Sequence, residues 1–107
     1  MKEIHQLVHT LSYGDAISTE VLALNRVLRD SGVASEIFTI NTHPHYKDQT
    51  KHFSQFPKSS KGKVILHYSL GSPLNDLYKE LSSWERSLIY HNLTPARWFK
   101  SVNARVS

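Results

Sequence analysis

Cysteine is absent from the 107-residue chain, which excludes disulfide bonds, thiolate catalysis and cysteine-ligated zinc. The sequence also lacks any apolar run that approaches the ~20 residues a membrane-spanning helix needs. The segment that begins at Met1 has no apolar stretch of the kind found in secretory signals. These absences favour a cytoplasmic protein, and the 39% of hydrophobic residues is enough for a modest core.

Basic residues outnumber acidic ones by 13 to 9, which gives the chain a net charge of +4. They are spread along the sequence, with a loose group at Lys58, Lys61 and Lys63, and this distribution is typical of a solvated surface. Anionic lipids and phosphate-bearing substrates are the partners that the positive charge otherwise favours. Because no nucleic-acid-binding motif accompanies the charge, nucleic acid is not expected as a partner.

The first forty residues have the pattern of a strand, a helix and a second strand. Residues 3–10 are rich in apolar side chains and predict the first strand. Apolar residues at helical spacing then run from Ile17 to Leu28 and predict a helix. Residues 33–40 predict a second strand, which a right-handed crossover would place parallel to the first.

The middle of the chain is less regular. Residues 41–63 are polar and predict a long connection with a short helix around residues 47–56. Val64 begins an apolar run that predicts a strand covered on both faces. Residues 88–90 predict a further strand.

Capping residues mark where the helices begin and end. Asp15 or Ser18 suits the start of the first helix, and Gly32 suits its end. Ser72-Pro73 and Thr94-Pro95 each combine a capping hydroxyl with a proline at the first helical position. The predicted fold class is α/β, with a single Rossmann-like domain over residues 1–107. It has a mostly parallel sheet of about four strands and helices on both faces.

Three junctions of this fold end a strand and open a helix, at residues 12–15, 68–72 and 91–94. The carboxyl ends of parallel strands share one edge, and ligands bind outside that edge. Helix N-termini there suit a phosphate or a sugar hydroxyl. The candidate substrate-binding residues are Tyr13, Gly14, Asp15, Ser69, Gly71, Ser72, Asn92 and Thr94.

Structural roles remain open for several of these residues. Gly14 also suits a simple turn, and Asp15 also suits a helix cap. Asn92 and Thr94 are common in caps and turns.

Histidine is frequent, with seven in the chain. His91 directly follows a predicted strand, where it would transfer a proton or stabilise charge near neutral pH; a structural histidine is the alternative. His67 lies late in its strand and is predicted to be packed. His43, His45 and His52 match no standard zinc spacing, so no metal site is predicted.

Three segments, taken in order and with their separation, resemble the N-terminal domain of retaining GT-B glycosyltransferases of the glycogen-synthase-like family four. None of the segments is diagnostic by itself, but the resemblance covers nearly the whole chain. They are Ile4-His5-Gln6-Leu7 leading to Ser12-Tyr13-Gly14-Asp15-Ala16-Ile17, His67-Tyr68-Ser69-Leu70-Gly71-Ser72-Pro73-Leu74, and Ile89-Tyr90-His91-Asn92-Leu93-Thr94-Pro95.

The resemblance implies an enzyme that moves a sugar from a nucleotide-sugar donor to an acceptor, with retention of anomeric configuration. Two Rossmann-like domains would face each other across a cleft, and the N-terminal one would mainly hold the acceptor. Gly14 and Asp15 would lie near the donor phosphates, and His91, as the catalytic residue, near the reacting sugar. The nucleotide sugar is then a co-substrate, and neither a metal nor another cofactor is expected.

The resemblance also bears on membranes and on length. Some members of the family dock on membrane surfaces through basic and aromatic helices, as residues 97–100 would here; core packing of Trp98 and Phe99 is the alternative. Family members are several times longer, and the donor-binding domain with its paired carboxylates is missing from this chain. The chain is therefore expected not to transfer sugar alone. The alternative function is a non-catalytic α/β module that binds a phosphate-bearing ligand or a protein partner.

Overall fold

The computed structural model describes residues 2–90, which form a parallel sheet flanked by helices. Two short 3-10 helices, Pro44–Gln49 and Phe53–Gln55, lie on either side of a two-residue strand. The strands and α-helices are β1 (Ile4–Leu11), α1 (Ala16–Asp30), β2 (Ile37–Thr42), β3 (Lys51–His52), β4 (Lys63–His67), α2 (Pro73–Glu80) and β5 (Glu85–Ile89).

The sheet has the strand order β3-β2-β1-β4-β5, and every pairing within it is parallel. β1 is central, and its Leu7 pairs with Phe38 of β2 on one side and Leu66 of β4 on the other. The chain builds outward from β1 through β2 to β3, and then returns to the opposite edge of β1 for β4. The predicted parallel α/β sheet is thus confirmed.

The two α-helices cover opposite faces of this sheet. Side chains alternate along a strand, so Leu7 and Val8 face opposite ways. Leu7 packs in a buried cluster with Leu74 and Leu77 of α2, whereas Val8 packs with Val21 of α1. The prediction of helices on both faces is therefore confirmed.

The capping signals fixed the helix ends correctly. Asp15 caps α1 by accepting a hydrogen bond from the backbone N–H of Ser18, and Gly32 follows the C-cap residue. Ser18 lies buried within the first turn instead of capping the helix. Ser72 caps α2, with Pro73 at its first position. The helix predicted after Thr94 lies outside the described residues.

The prediction for residues 47–56 was wrong, because this segment contains β3 between two 3-10 helices. Lys51 and His52 pair with β2 and add an edge strand, so the described sheet has five strands instead of about four. Phe56 is buried in the cluster below α2, and Phe53 packs against the same cluster. The two rings pack into the core and hold the segment against β2. Their spacing in the sequence does not follow a helical pattern, so the sequence does not indicate this packing.

Two other strands differ from the predicted bounds by a few residues. β2 spans Ile37–Thr42 instead of residues 33–40, and β5 spans Glu85–Ile89 instead of residues 88–90. No helix within residues 2–90 is long and apolar enough to cross a membrane.

His5 is a structural histidine in the core below α2. Its ring lies among those of Phe38, Phe56 and Trp84, with centroids 5.5, 5.9 and 5.6 Å away. Its Nδ1 accepts a hydrogen bond from the backbone N–H of Glu36 at 3.0 Å, and its Nε2 lies 2.9 Å from a carboxylate oxygen of Glu3. Both ring nitrogens are thus partnered, as a buried polar group requires.

Truncating the core at β4 should lower stability strongly. Leu66→Ala removes a side chain that is 1% exposed, and the cavity left behind should reduce the free energy of unfolding by about 2–5 kcal/mol. Leu70→Ala is the matched control, because Leu70 is 88% exposed and its loss should change stability by less than about 0.5 kcal/mol. Urea unfolding of both variants measures the difference. Equal effects would contradict the described core.

Candidate functional site

A crevice opens between the carboxyl ends of β1 and β4, where the strand order reverses. It has a volume of about 170 Å³. One wall includes Asp15, just before α1, and the other includes Tyr68 and Ser69, just after β4. Such a reversal is where ligands bind in open α/β sheets. The structure therefore brings two of the three predicted junctions together, at what is called here the β1/β4 crevice.

The loop between β1 and α1 is held by a small hydrogen-bond network. One carboxylate oxygen of Asp15 accepts from the backbone N–H and from the hydroxyl of Ser18, each at 3.1 Å. The Ser18 hydroxyl oxygen accepts in turn from the backbone N–H of Ser12 at 2.8 Å. The capping interpretation of Asp15 is thus confirmed, and its contact with a ligand stays a prediction.

Glycine is required in both loops by the backbone. Gly14 has φ +80° and Gly71 has φ +73°, a region that other residues rarely adopt. A Cβ atom at either position would meet nothing within 4 Å, so packing within the chain does not exclude a side chain there. The close approach of a ligand to Gly14 stays a prediction.

The turn after β4 is tied to the start of α2. The carbonyl oxygen of Ser69 accepts from the backbone N–H of Ser72 at 3.2 Å and from the side-chain amide of Asn75 at 3.1 Å. The Ser72 hydroxyl oxygen accepts from the backbone N–H of Leu74 at 3.2 Å. Ser72 is buried and acts as a cap, whereas Ser69 lines the crevice. Ligand-binding roles for Ser69, Gly71 and Ser72 stay predictions.

Two histidines line the crevice and lie on opposite faces of the sheet. On the α1 face, the side-chain amide nitrogen of Gln6 donates to the carbonyl oxygen of Val21 at 3.0 Å. The amide oxygen of Gln6 therefore faces Nε2 of His67, 2.7 Å away, and Nε2 must carry the proton. His67 is buried as predicted, yet it also lines the crevice.

His9 was missed in the sequence and lies on the α2 face. It lines the crevice, and its Nδ1 is 2.8 Å from the hydroxyl oxygen of Ser72. Residues 9 and 72 are far apart in the chain, so no local pattern indicates this contact. The only available signal was the position of His9 near the carboxyl end of the first predicted strand.

Aromatic rings gather around Tyr13, which is not among the residues that line the crevice and contacts the segment after β2 instead. The Tyr13 ring is 63% exposed, and its centroid is 4.8 Å from that of His45, 5.7 Å from His43 and 6.1 Å from Tyr46. Tyr46 packs against the buried cluster under α1, which anchors this ring cluster to the fold. Within residues 2–90, no group of three or more histidine, cysteine, aspartate or glutamate side chains is arranged to hold a metal ion.

Of the third predicted junction, the structure describes only the strand that leads to it, β5, and the next residue, Tyr90. The backbone N–H of Tyr68 donates to the carbonyl oxygen of Ile89 at 2.9 Å, and the rings of Tyr68 and Tyr90 lie 5.5 Å apart. Tyr90 is the last described residue. The candidate residues beyond it, His91, Asn92 and Thr94, lie outside the described part of the chain.

A larger hollow of about 310 Å³ lies between α1 and β3, and the basic and acidic side chains that line it balance. Glu36 forms ion pairs with Arg29 at 3.3 Å and with Lys51 at 3.7 Å. Arg26, Asp30 and Asp48 also line this hollow, and no helix N-terminus points into it. It therefore offers a ligand less uncompensated charge than the carboxyl edge does.

Removing the Asp15 cap should destabilise the fold. Asp15→Ala leaves N–H groups of α1 without their acceptor and should lower the free energy of unfolding by ~1 kcal/mol. Asp15→Asn keeps an acceptor oxygen and should retain most of the stability. Urea unfolding distinguishes the two variants. An equal loss in both would show that the negative charge, and not the cap, stabilises this helix.

The carboxyl edge of the described sheet thus combines one crevice with two capped helix starts, two oriented histidines and an exposed ring cluster. These groups come from three stretches of the chain, residues 9–15, 43–46 and 67–72, and meet only in the folded sheet. No protein-family model, curated protein or solved structure matches this chain.

Proposed function

We propose that this chain is the acceptor-binding half of a retaining glycosyltransferase, which moves a sugar from a nucleotide-sugar donor to a glycan or lipid-linked acceptor. One observation carries the proposal. Asp15 and Ser69, from two of the segments that resemble this enzyme class, line one crevice at the reversal of strand order. That is the position at which a Rossmann-like domain binds its ligand.

The electrostatics of the crevice suit oxygen-rich ligands. Both α-helices begin at this edge, and the first turn of a helix has backbone N–H groups without partners in the helix. The caps use some of these donors, and the positive end of the helix dipole acts on what remains. Beyond the Asp15 cap, the first turn of α1 carries no acidic side chain, whereas the first turn of α2 carries Asp76. The start of α1 is therefore the better place for a phosphate or a sugar hydroxyl.

The ring cluster around Tyr13 suits a carbohydrate. Aromatic rings with a polar group combine an apolar face with a hydrogen-bonding edge. A sugar ring presents apolar C–H groups on its faces and hydroxyls at its rim, so the two surfaces are complementary. Tyr13 is the member of the cluster that belongs to the loop between β1 and α1 and is largely exposed.

Chemistry in the complete enzyme is assigned to His91, which would lie near the reacting sugar. In this proposal the chain supplies the acceptor side of the cleft, and sugar transfer requires the donor-binding side as well. In this proposal the enzyme works in the cytoplasm, and residues 97–100 contact the membrane surface.

Activity should depend on His91 once both halves of the enzyme are present. In a protein that joins this chain to a donor-binding domain, transfer or donor hydrolysis should appear. His91→Ala should then reduce turnover by about 100-fold or more, the scale of a lost acid–base or charge-stabilising group. His52→Ala is the control, because His52 lies at the far edge of the sheet on β3.

Near-normal turnover of the His91→Ala enzyme would remove His91 from the site. If the joined protein binds phosphate-bearing ligands at the crevice but transfers no sugar, the alternative of a non-catalytic binding module would replace the proposal.

Loss of the exposed ring should weaken acceptor binding. In the joined enzyme, Tyr13→Ala should raise the KM for the acceptor by about 3- to 10-fold, which corresponds to an aromatic contact of roughly 0.5–1.5 kcal/mol, while kcat changes less. Tyr13→Phe keeps the ring and should stay close to the parent. Steady-state kinetics with varied acceptor measure both. An unchanged KM in Tyr13→Ala would exclude the ring from the acceptor site.

A further inference from the structure

His9 occupies a defined place at the carboxyl end of β1. Val8 faces α1, so His9, the next residue along the strand, faces the side of α2. Its ring is partly exposed, and the residue lines the β1/β4 crevice. Its Nδ1 lies 2.8 Å from the hydroxyl oxygen of Ser72, the cap of α2.

The hydrogen-bond pattern at Ser72 determines which ring nitrogen of His9 carries the proton. The Ser72 side chain is buried, and its oxygen already accepts from the backbone N–H of Leu74. A buried hydroxyl also needs an acceptor for its own hydrogen, and Nδ1 of His9 is its one acceptor among the described contacts. Ser72 therefore donates to Nδ1, and the neutral ring holds its proton on Nε2.

The other nitrogen of His9 is left for a ligand. Among residues 2–90, Nε2 of His9 has no hydrogen-bond partner, since its described bond is the one from Ser72 to Nδ1. The bond to Ser72 and the strand backbone together hold the ring in one orientation. By contrast, Nε2 of His67 on the opposite face is committed to Gln6.

We propose that His9 is a ligand-binding residue of the β1/β4 crevice, where its Nε2–H donates to an acceptor oxygen of the bound molecule. A phosphate oxygen and a sugar hydroxyl oxygen share this chemistry. The inference rests on the proposed function for the location of the ligand, but it adds a residue that the resemblance did not assign.

The tautomer can be measured without any ligand. Long-range ¹H–¹⁵N correlation spectra of the ¹⁵N-histidine-labelled 107-residue chain distinguish protonated from unprotonated ring nitrogens, and the His9 signals are those missing in His9→Asn. The neutral His9 ring should carry its proton on Nε2, and Ser72→Ala should weaken this preference. A proton on Nδ1 in the parent chain would overturn the proposal.

Ligand binding is tested by titration with inorganic phosphate and, separately, with methyl α-glucopyranoside. The probe that His9 binds should shift its Nε2 signal together with backbone amides of residues 12–15 and 68–72. His9→Asn keeps an acceptor for the Ser72 hydroxyl but lacks the Nε2 donor, and it should weaken binding about tenfold, the effect of one lost hydrogen bond. His52→Asn is the control at an exposed histidine and should bind like the parent.

The outcomes separate the two proposals. If the loop amides shift but His9→Asn binds as tightly as the parent, His9 is not a ligand residue and the crevice remains the binding site. If neither probe shifts the loops, both the role of His9 and the proposed function of the crevice fail. Urea unfolding of His9→Asn establishes that the variant is folded. If it is not, the titration of the parent chain decides, because loop amides that shift without a shift of the His9 Nε2 signal would exclude His9 as a ligand residue.

Discussion

Parallel pairing of β1 on both of its edges is the constraint on which the rest of the structure depends. Leu7 pairs with Phe38 on one side and with Leu66 on the other, so the chain must leave β1 in one direction and later return to its opposite edge. Because crossovers between parallel strands are right-handed, the two directions place α1 and α2 on opposite faces. The same constraint brings the loops after β1 and β4 to one edge of the sheet, separated by a single strand spacing of about 4.8 Å.

Polar side chains at the centre of this sheet fix the walls of the crevice. Gln6 links β1 to α1 and to His67 of β4, and His9 links β1 to the cap of α2. Apolar groups of the same shape would hold these elements together about as well, because the net stabilisation from a hydrogen bond is small. What the polar pairs add is direction: each sets the orientation of one imidazole ring and decides which nitrogen carries a proton.

The parts of the fold that follow local rules could be predicted from the sequence. Asp15 and Ser72-Pro73 begin the helices because their side chains and backbone suit the first turn without help from other residues. β3 could not be predicted, since Lys51 and His52 expose their side chains and have no strand pattern of their own. The two loops that line the crevice lie at the carboxyl edge of the sheet, where they are predicted, but His9 was missed because its partner Ser72 comes from a distant part of the chain.

The capping roles of Asp15 and Ser72 change what the crevice can offer a ligand. Both were predicted as substrate-binding residues, but their side-chain oxygens accept hydrogen bonds from the first turns of the helices. The second carboxylate oxygen of Asp15 has no partner among the described hydrogen bonds, so one charged acceptor remains at the edge. The donors beside it are the uncapped N–H groups of the first turns and Nε2 of His9. A crevice that offers both donors and an acceptor suits sugar hydroxyls, which donate and accept, better than it suits apolar molecules.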